Sequence, residues 1–206
     1  MQLNHLLIES GQFPNIKEEI PSVDISGISF DSRKVKPGDI FFALDGKNAD
    51  GHQFIPQAVK AGAKAIIGRL PIDHAGAPYF QVENPRQSMA YIAAALNGFP
   101  AKKLTIIGVT GTDGKTTTVN LIYRILLANE INAGMISTVN AVIGNEMIDT
   151  GFHVTTPESP IIQALLAKMV DMGATHVVLE TTSHGLDQFR VEACEFDIAV
   201  ITNITH

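Results

Sequence analysis

Seven residues near the middle of the chain have the types and order that grip a phosphate: Gly111-Thr112-Asp113-Gly114-Lys115-Thr116-Thr117. Such a loop needs inward-facing backbone N–H groups, glycines that accept positive φ, and a helix N-terminus behind them. It also needs a lysine for the β and γ phosphates of a nucleotide and a hydroxyl for magnesium. Gly111 and Gly114 supply the turn, Lys115 the cation and Thr116 the metal-facing hydroxyl. A helix expected from Thr117 onward supplies the dipole. The strict pattern Gly-x-x-x-x-Gly-Lys-Thr requires glycine at 109, where this chain has Val109, and Gly108 falls one place too early. The loop is therefore a variant one, and its expected ligand is ATP with Mg2+. A second magnesium group belongs at the end of a neighbouring strand. The apolar run Val177-Val178-Leu179 ends on Glu180, which is expected to bind the metal directly or through water. The competing reading of Glu180 is an ordinary strand-end carboxylate in solvent.

The elements that must position these groups are legible as β-α alternation. Leu104 to Val109 is an apolar strand running straight into the loop. A helix follows, with Val119, Ile122, Ile125, Leu126 and Asn129 on one side, then a strand from Ala133 to Thr138. Val142 to Ile148 reads as a hairpin turning at Gly144-Asn145. Ile162, Leu165, Leu166 and Met169 mark a helix capped at its front by Thr156-Pro157-Glu158. Thr175 to Leu179 and Phe196 to Ile201 read as two more buried strands. Strands separated by helices imply a mainly parallel, doubly wound sheet with ligands at the carboxyl ends of its strands.

The first hundred residues form a smaller α/β unit. Ile40 to Leu44, Ala65 to Ile67 and Tyr79 to Val82 suit strands. Phe54, Ala58, Val59 and Ala61 recur at helical spacing before Gly62, and Asn84-Pro85 opens a helix through Leu96. Gly98-Phe99-Pro100 followed by Ala101-Lys102-Lys103 is the linker expected between domains 1–100 and 101–206.

Composition narrows the class. Hydrophobic residues make up 45% and charged ones 17%, and the net charge is -6 with no basic cluster. That disfavours a nucleic-acid partner, which needs clustered Lys and Arg. Cys194, the single cysteine, excludes an internal disulfide framework and reads as a small core filler beside Phe196. Met1 to Phe13 lacks the basic and apolar regions of a signal peptide, and no apolar run reaches membrane-spanning length. A soluble cytoplasmic protein without membrane insertion is expected.

Four motifs, in matching order, resemble the Mur ligases: the Gly-Thr-Asp-Gly-Lys-Thr-Thr loop, Thr155-Thr156-Pro157, Glu180 to Leu186 and Thr202-Asn203-Ile204-Thr205. Phe30-Asp31-Ser32-Arg33, Pro37-Gly38-Asp39 and the stretch from Gly46 to Gly51 resemble the uridine-nucleotide domain of the branch that adds a diamino acid. The resemblance implies ATP-dependent amide-bond formation in peptidoglycan precursor synthesis. A substrate carboxylate attacks the γ-phosphoryl group, and an amine then displaces phosphate from the acyl phosphate. The implied partners are UDP-MurNAc-dipeptide and a diamino acid, meso-diaminopimelate or lysine. Lys115 and Glu180 become the catalytic charges.

By the same resemblance, Phe30, Ser32, Lys47, Asn48 and Ala49 contact the uridine part, and Thr155, Thr156, Thr182, Gln188 and Arg190 the muramoyl-peptide region. Thr182 stands where the family usually has serine, and Val154 where some relatives have asparagine. Bland readings stay open: a turn with a local ion pair at Asp31-Ser32-Arg33, a helix cap at Thr155-Thr156-Pro157, a surface cation at Arg190, a structural role for His184, and a surface helix-start place for His52. The resemblance also implies a later histidine, a carbamylated lysine and an amino-acid-selecting domain that these residues lack. A truncated middle domain without turnover of its own is therefore expected. A folylpolyglutamate-type ligase, a non-catalytic binding module and an unrelated phosphate-loop NTPase are the alternatives.

Overall fold

The computed structural model describes residues 1–13, 20–46, 49–73, 75–138, 140–144, 146–149 and 156–205. The chain divides into two compact units, Met1–Leu96 and Asn97–His206.

In the first unit, helix α1 (Leu3–Glu9) buries Leu3, Leu6 and Leu7, one face at i, i+3, i+4 spacing. Strands β1 (Gly27–Ser29), β2 (Asp39–Ala43), β3 (Ala65–Gly68) and β4 (Tyr79–Gln81) form an all-parallel sheet in that spatial order. β2 and β3 are buried throughout, and beyond Asp39 they are the continuous apolar runs a parallel sheet should have. Helices α2 (Ile55–Lys60) and α3 (Pro85–Leu96) complete the unit, and α3 buries Met89, Ile92 and Ala93.

In the second unit, β5 (Thr105–Thr110), α4 (Lys115–Ala128) and β6 (Ala133–Ile136) follow the expected alternation. Then come the hairpin β7 (Asn140–Ile143) and β8 (Glu146–Asp149), helix α5 (Ser159–Asp171), strand β9 (His176–Glu180), the short helix α6 (Ser183–Asp187) and strand β10 (Ile198–Ile201). The sheet order is β10-β5-β9-β6-β7-β8, parallel from β10 to β6 and antiparallel over the last three strands. Alternate residues of the strands face opposite helices. Ile107, Val109 and Val178 pack with Val119 and Tyr123 of α4, while Ile106, Val177 and Leu179 pack with Ile162, Leu166 and Met169 of α5. Helices on both faces make this unit doubly wound.

The stretch expected to link the domains includes a 3-10 turn, Pro100–Lys103, whose Pro100 and Ala101 are buried, and Ala101 joins the α5-side core. Three expectations need correction. Ile125 is 60% exposed, because the inward face of α4 runs through Val119, Ile122, Tyr123 and Leu126 instead. α4 also begins at Lys115, not Thr117. The last strand is not buried: β10 pairs with β5 on one side only, and Ile198 and Ile201 are exposed. Among the described residues no helix is long and apolar enough to cross a membrane.

Candidate functional site

The phosphate loop joins β5 to α4. Gly111 has φ +140°, and a Cβ there would lie 2.1 Å from Thr202 Oγ1, so only glycine fits. Gly114 is left-handed at the N-cap of α4. The tail of β10 braces the loop. The Thr112 N–H donates to Asn203 O at 3.1 Å, and the Asp113 N–H to Asn203 Oδ1 at 3.0 Å. The Thr202 hydroxyl donates to Asp113 O at 2.6 Å, and the Thr205 N–H to Thr112 Oγ1 at 3.1 Å. Thr202-Asn203-Ile204-Thr205 is thus the scaffold of the loop, a role its sequence alone did not disclose. Lys115 folds back, and its Nζ donates to the carbonyls of Gly111 and Thr112, both at 2.8 Å.

Register brings the acid to this loop. In the β5–β9 ladder Val109 pairs with Glu180, so the end of β9 lies level with the start of the loop. Glu180 is 1% exposed, which removes the reading of a solvent-facing strand end. Its carboxylate accepts from the Thr116 hydroxyl at 3.1 and 3.0 Å, from the Thr138 hydroxyl at 2.8 Å and from the Thr138 N–H at 3.0 Å. These donors from Thr116 and Thr138 are all neutral.

Thr138 was missed as a site residue, although its place just beyond β6, next to the strand ending in Glu180, is a signal that could have found it. A cleft of about 330 Å³ is lined by Thr112 to Thr117, Thr138 and Glu180. Its metal-capable groups are the carboxylates of Asp113 and Glu180 and several hydroxyls, the hard oxygen donors that Mg2+ prefers, and Lys115 and the N-terminus of α4 stand beside them.

A second cluster forms after β9. Thr156 is 1% exposed; its Oγ1 lies 3.1 Å from Thr182 Oγ1 and accepts the Thr182 N–H at 3.1 Å. The Thr182 hydroxyl caps α6 by accepting the Gly185 N–H at 3.0 Å. Arg190 reaches back to this point. Its Nη1 donates to Thr156 O at 2.6 Å, its Nε and Nη2 hold Gln188 Oε1, and Nη2 lies 3.0 Å from Glu158 Oε1. The Arg190 side chain is 10% exposed, so it is no solvated surface cation. Thr156-Pro157-Glu158 is not a side-chain cap either, since the N-cap position of α5 falls on Glu158 without a capping bond. Thr156, Thr182, Gln188 and Arg190 are brought together; Thr155 lies outside the described residues, as do Val154 and His206. His184 is exposed on α6.

The remaining candidates belong to the first unit. Phe30 follows β1 and is 38% exposed, and the Ser32 hydroxyl donates to Gln57 Oε1 at 2.9 Å. Asp31 and Arg33 do form the local ion pair, with Nη2 at 2.8 Å. That bond to Arg33 holds the Asp31 carboxyl below its ordinary range. Ala49 is exposed beyond β2, at the same sheet end as Phe30 because β1 and β2 are parallel. Lys47 and Asn48 lie outside the described residues. His52 is buried rather than on the surface. Asp50 beside it is held below its usual carboxylate range by the His52 backbone N–H first and the ring second.

A phosphate loop facing a buried strand-end glutamate on a doubly wound sheet places the second unit in the phosphate-loop class of α/β domains. Residues 109–206 match the Mur ligase middle domain, and residues 24–97 match the Mur ligase family, catalytic domain. The chain belongs to the Mur ligase family. A curated relative from Bacillus cereus, UDP-N-acetylmuramoyl-L-alanyl-D-glutamate–2,6-diaminopimelate ligase, is 40% identical over 205 residues, covering 100% of this chain and 41% of its own.

A solved structure of a ligase of that same name is 28% identical with a TM-score of 0.82, over 100% of this chain and 41% of the other. The MurF ligase from Thermotoga maritima, solved in complex with ADP, is 28% identical with a TM-score of 0.54 over 85% of this chain and 37% of its own. The chain thus spans about two fifths of the length of these relatives, 41% of the Bacillus cereus one.

Proposed function

We propose that the chain is the substrate-nucleotide and ATP-binding part of a ligase that adds a diamino acid to UDP-MurNAc-L-Ala-D-Glu in peptidoglycan precursor synthesis. The observation that carries the nucleotide half is the buried Glu180 carboxylate bonded to the Thr116 hydroxyl at the mouth of the phosphate loop. The 40% identity to a diaminopimelate ligase and the ADP complex of a related ligase support the substrate and the nucleotide.

In this reading the amides from Gly114 to Thr117, at the N-terminus of α4, cradle the phosphates, while those of Thr112 and Asp113 stay bonded to Asn203. Lys115 leaves its two loop carbonyls for the β and γ oxygens. Thr116 and Glu180 would hold Mg2+, with Thr138 steadying the carboxylate. The metal supplies neutralisation of charge on the transferred phosphoryl group. Phosphoryl transfer from ATP to the substrate carboxylate is mostly positioning and charge stabilisation, which these residues provide. Arg190 fixes the Thr156–Glu158 turn, presenting the Thr156–Thr182 pair to the muramoyl-peptide region. Phe30, Ser32, Lys47, Asn48 and Ala49 are assigned to the uridine part.

The 206 residues are expected to bind both nucleotides without forming product unaided. Titration with UDP-MurNAc-dipeptide, Mg-ATP and diaminopimelate tests both statements. Saturable binding without tripeptide supports the reading; tripeptide formation removes the second statement, and absence of either binding removes the first. A folate competing with the UDP-sugar peptide would favour the folylpolyglutamate type.

A further inference from the structure

His52 has no part in the site described so far, yet both of its ring nitrogens are engaged. The side chain is 6% exposed, and Nδ1 lies 2.6 Å from Asp50 Oδ1. Nε2 lies 3.1 Å from the Arg69 nitrogen and 3.2 Å from that of Leu70. A backbone N–H only donates, so Nε2 carries the lone pair and the proton sits on Nδ1. The ring must therefore be neutral and in one tautomer, which Asp50 fixes.

The same two segments are clasped a second time. Arg69 Nε and Nη2 both reach Asp45 Oδ2 at 2.8 Å. Asp45 and Asp50 face each other in an antiparallel bridge, and the Gly46 N–H bonds Ala49 O at 3.1 Å. The excursion after β2 is thus closed on itself and tied to the residues after β3. From β4, the Tyr79 hydroxyl donates to Leu70 O and the Gln81 amide to Arg69 O. Gly68 makes room, since a Cβ there would lie 2.6 Å from both His52 Nε2 and the Tyr79 hydroxyl.

Asp45, Asp50 and His52 present atoms within 4.8 Å of one another, a spacing a cation could bridge. Both ring nitrogens and Asp45 Oδ2 are already committed, which makes the cluster a clasp instead. We propose that His52, set by Asp50, is a positioning residue for the carboxyl-end rim of the first sheet. It holds the turn bearing Ala49 against Arg69 and Leu70 before the uridine nucleotide arrives. This rests on the assignment of that rim to the uridine part.

The test uses the whole 206-residue chain, UDP as the probe, and amide exchange at Arg69 and Leu70. His52→Phe keeps a ring but no acceptor, whereas His52→Gln keeps an oxygen that both amides can reach. The Phe variant should exchange both amides at least about tenfold faster and bind UDP about tenfold more weakly, as expected for buried donors left unpaired. The Gln variant should retain most of both, and Mg-ADP binding should not change in either. Wild-type exchange and UDP affinity in the Phe variant overturn the proposal.

A wild-type chain with no UDP affinity overturns instead the uridine assignment on which it rests, and the positioning role with it. Should the Phe variant fail to fold, Asp50→Ala frees Nδ1 and should speed the same two amides and weaken UDP; unchanged values there overturn the proposal too.

Discussion

The Thr116 hydroxyl lies 3.1 and 3.0 Å from the two carboxylate oxygens of Glu180, across 64 residues of sequence. The pair joins the first turn of α4 to the end of β9 inside a pocket that leaves Glu180 1% exposed. Burying a carboxylate among neutral hydroxyl donors is costly unless a cation completes the site. That is the arrangement a magnesium nucleotide would complete.

Thr138 should matter for the same reason. Thr138→Val removes the 2.8 Å hydroxyl bond while keeping the backbone one. The carboxylate then lacks a donor, at about 1–3 kcal/mol of stability. Urea denaturation would show it, together with weaker Mg-ADP binding. An unchanged midpoint and affinity would remove Thr138 from the site.

Gly111→Ala should be more damaging than its size suggests. The added Cβ meets Thr202 Oγ1 at 2.1 Å, and φ +140° is itself unfavourable for alanine. Strain of about 1–3 kcal/mol is expected, with loss of nucleotide binding. Gly114→Ala meets no neighbour within 4 Å and should cost less. Equal loss of binding and stability in the two variants would contradict the brace formed by Thr202 and Asn203.

Arg190 is expected to act on shape. Arg190→Leu removes one partner, at 3.0 Å, from Glu158, whose side chain is 17% exposed, and takes the donor from Thr156 O. A loss of about 3 kcal/mol is expected, the lower end for a broken buried pair. Arg190→Lys should recover little, because one ammonium cannot replace the fork held by Gln188, Glu158 and Thr156. Thermal melts of the two variants against wild type check this; a near-normal Lys variant would contradict it.

Two side chains give pH predictions of opposite sense. Burial raises the Cys194 thiol to about 12, so the native protein should resist alkylation at pH 8 and react only after unfolding. Asp50 has its folded pKa lowered from 3.8. Its stabilisation is present above the unfolded value and is lost as pH falls through the lower folded one. Asp50→Asn should therefore flatten the acid limb of a stability-against-pH curve below about pH 4. An unaltered acid limb would show that the carboxylate contributes nothing there.

Much of the site was readable because its chemistry is local. The loop is one run of seven residues, and Glu180 ends an apolar run that had to be a buried strand. Motif order carried the family. The rest depended on distant pairings. Thr138 meets Glu180 over 42 residues, Asn203 braces Asp113 over 90, and Arg190 reaches Thr156 over 34. No local pattern encodes such contacts.

The face of α4 was misjudged because the sequence carries apolar residues on two sides, and Ile125 falls on the outer one. Phe196 to Ile201 reads as buried because its residues, Asp197 apart, are apolar, whereas burial of an edge strand depends on what lies beside it. His52 reads as a surface helix-start residue because its partners, Asp50 apart, lie beyond the next helix.

The most direct measurement is calorimetric titration of the chain with Mg-ADP and with ADP in EDTA, repeated for Lys115→Ala and Glu180→Gln. Saturable, magnesium-dependent binding is expected for wild type. Lys115→Ala should weaken it about tenfold or more, since charge-assisted bonds to phosphate are lost. Glu180→Gln should abolish the difference between magnesium and EDTA while leaving the fold intact. Wild-type binding in both variants, or magnesium dependence that survives Glu180→Gln, would contradict the assignment of this loop and its glutamate to a magnesium nucleotide.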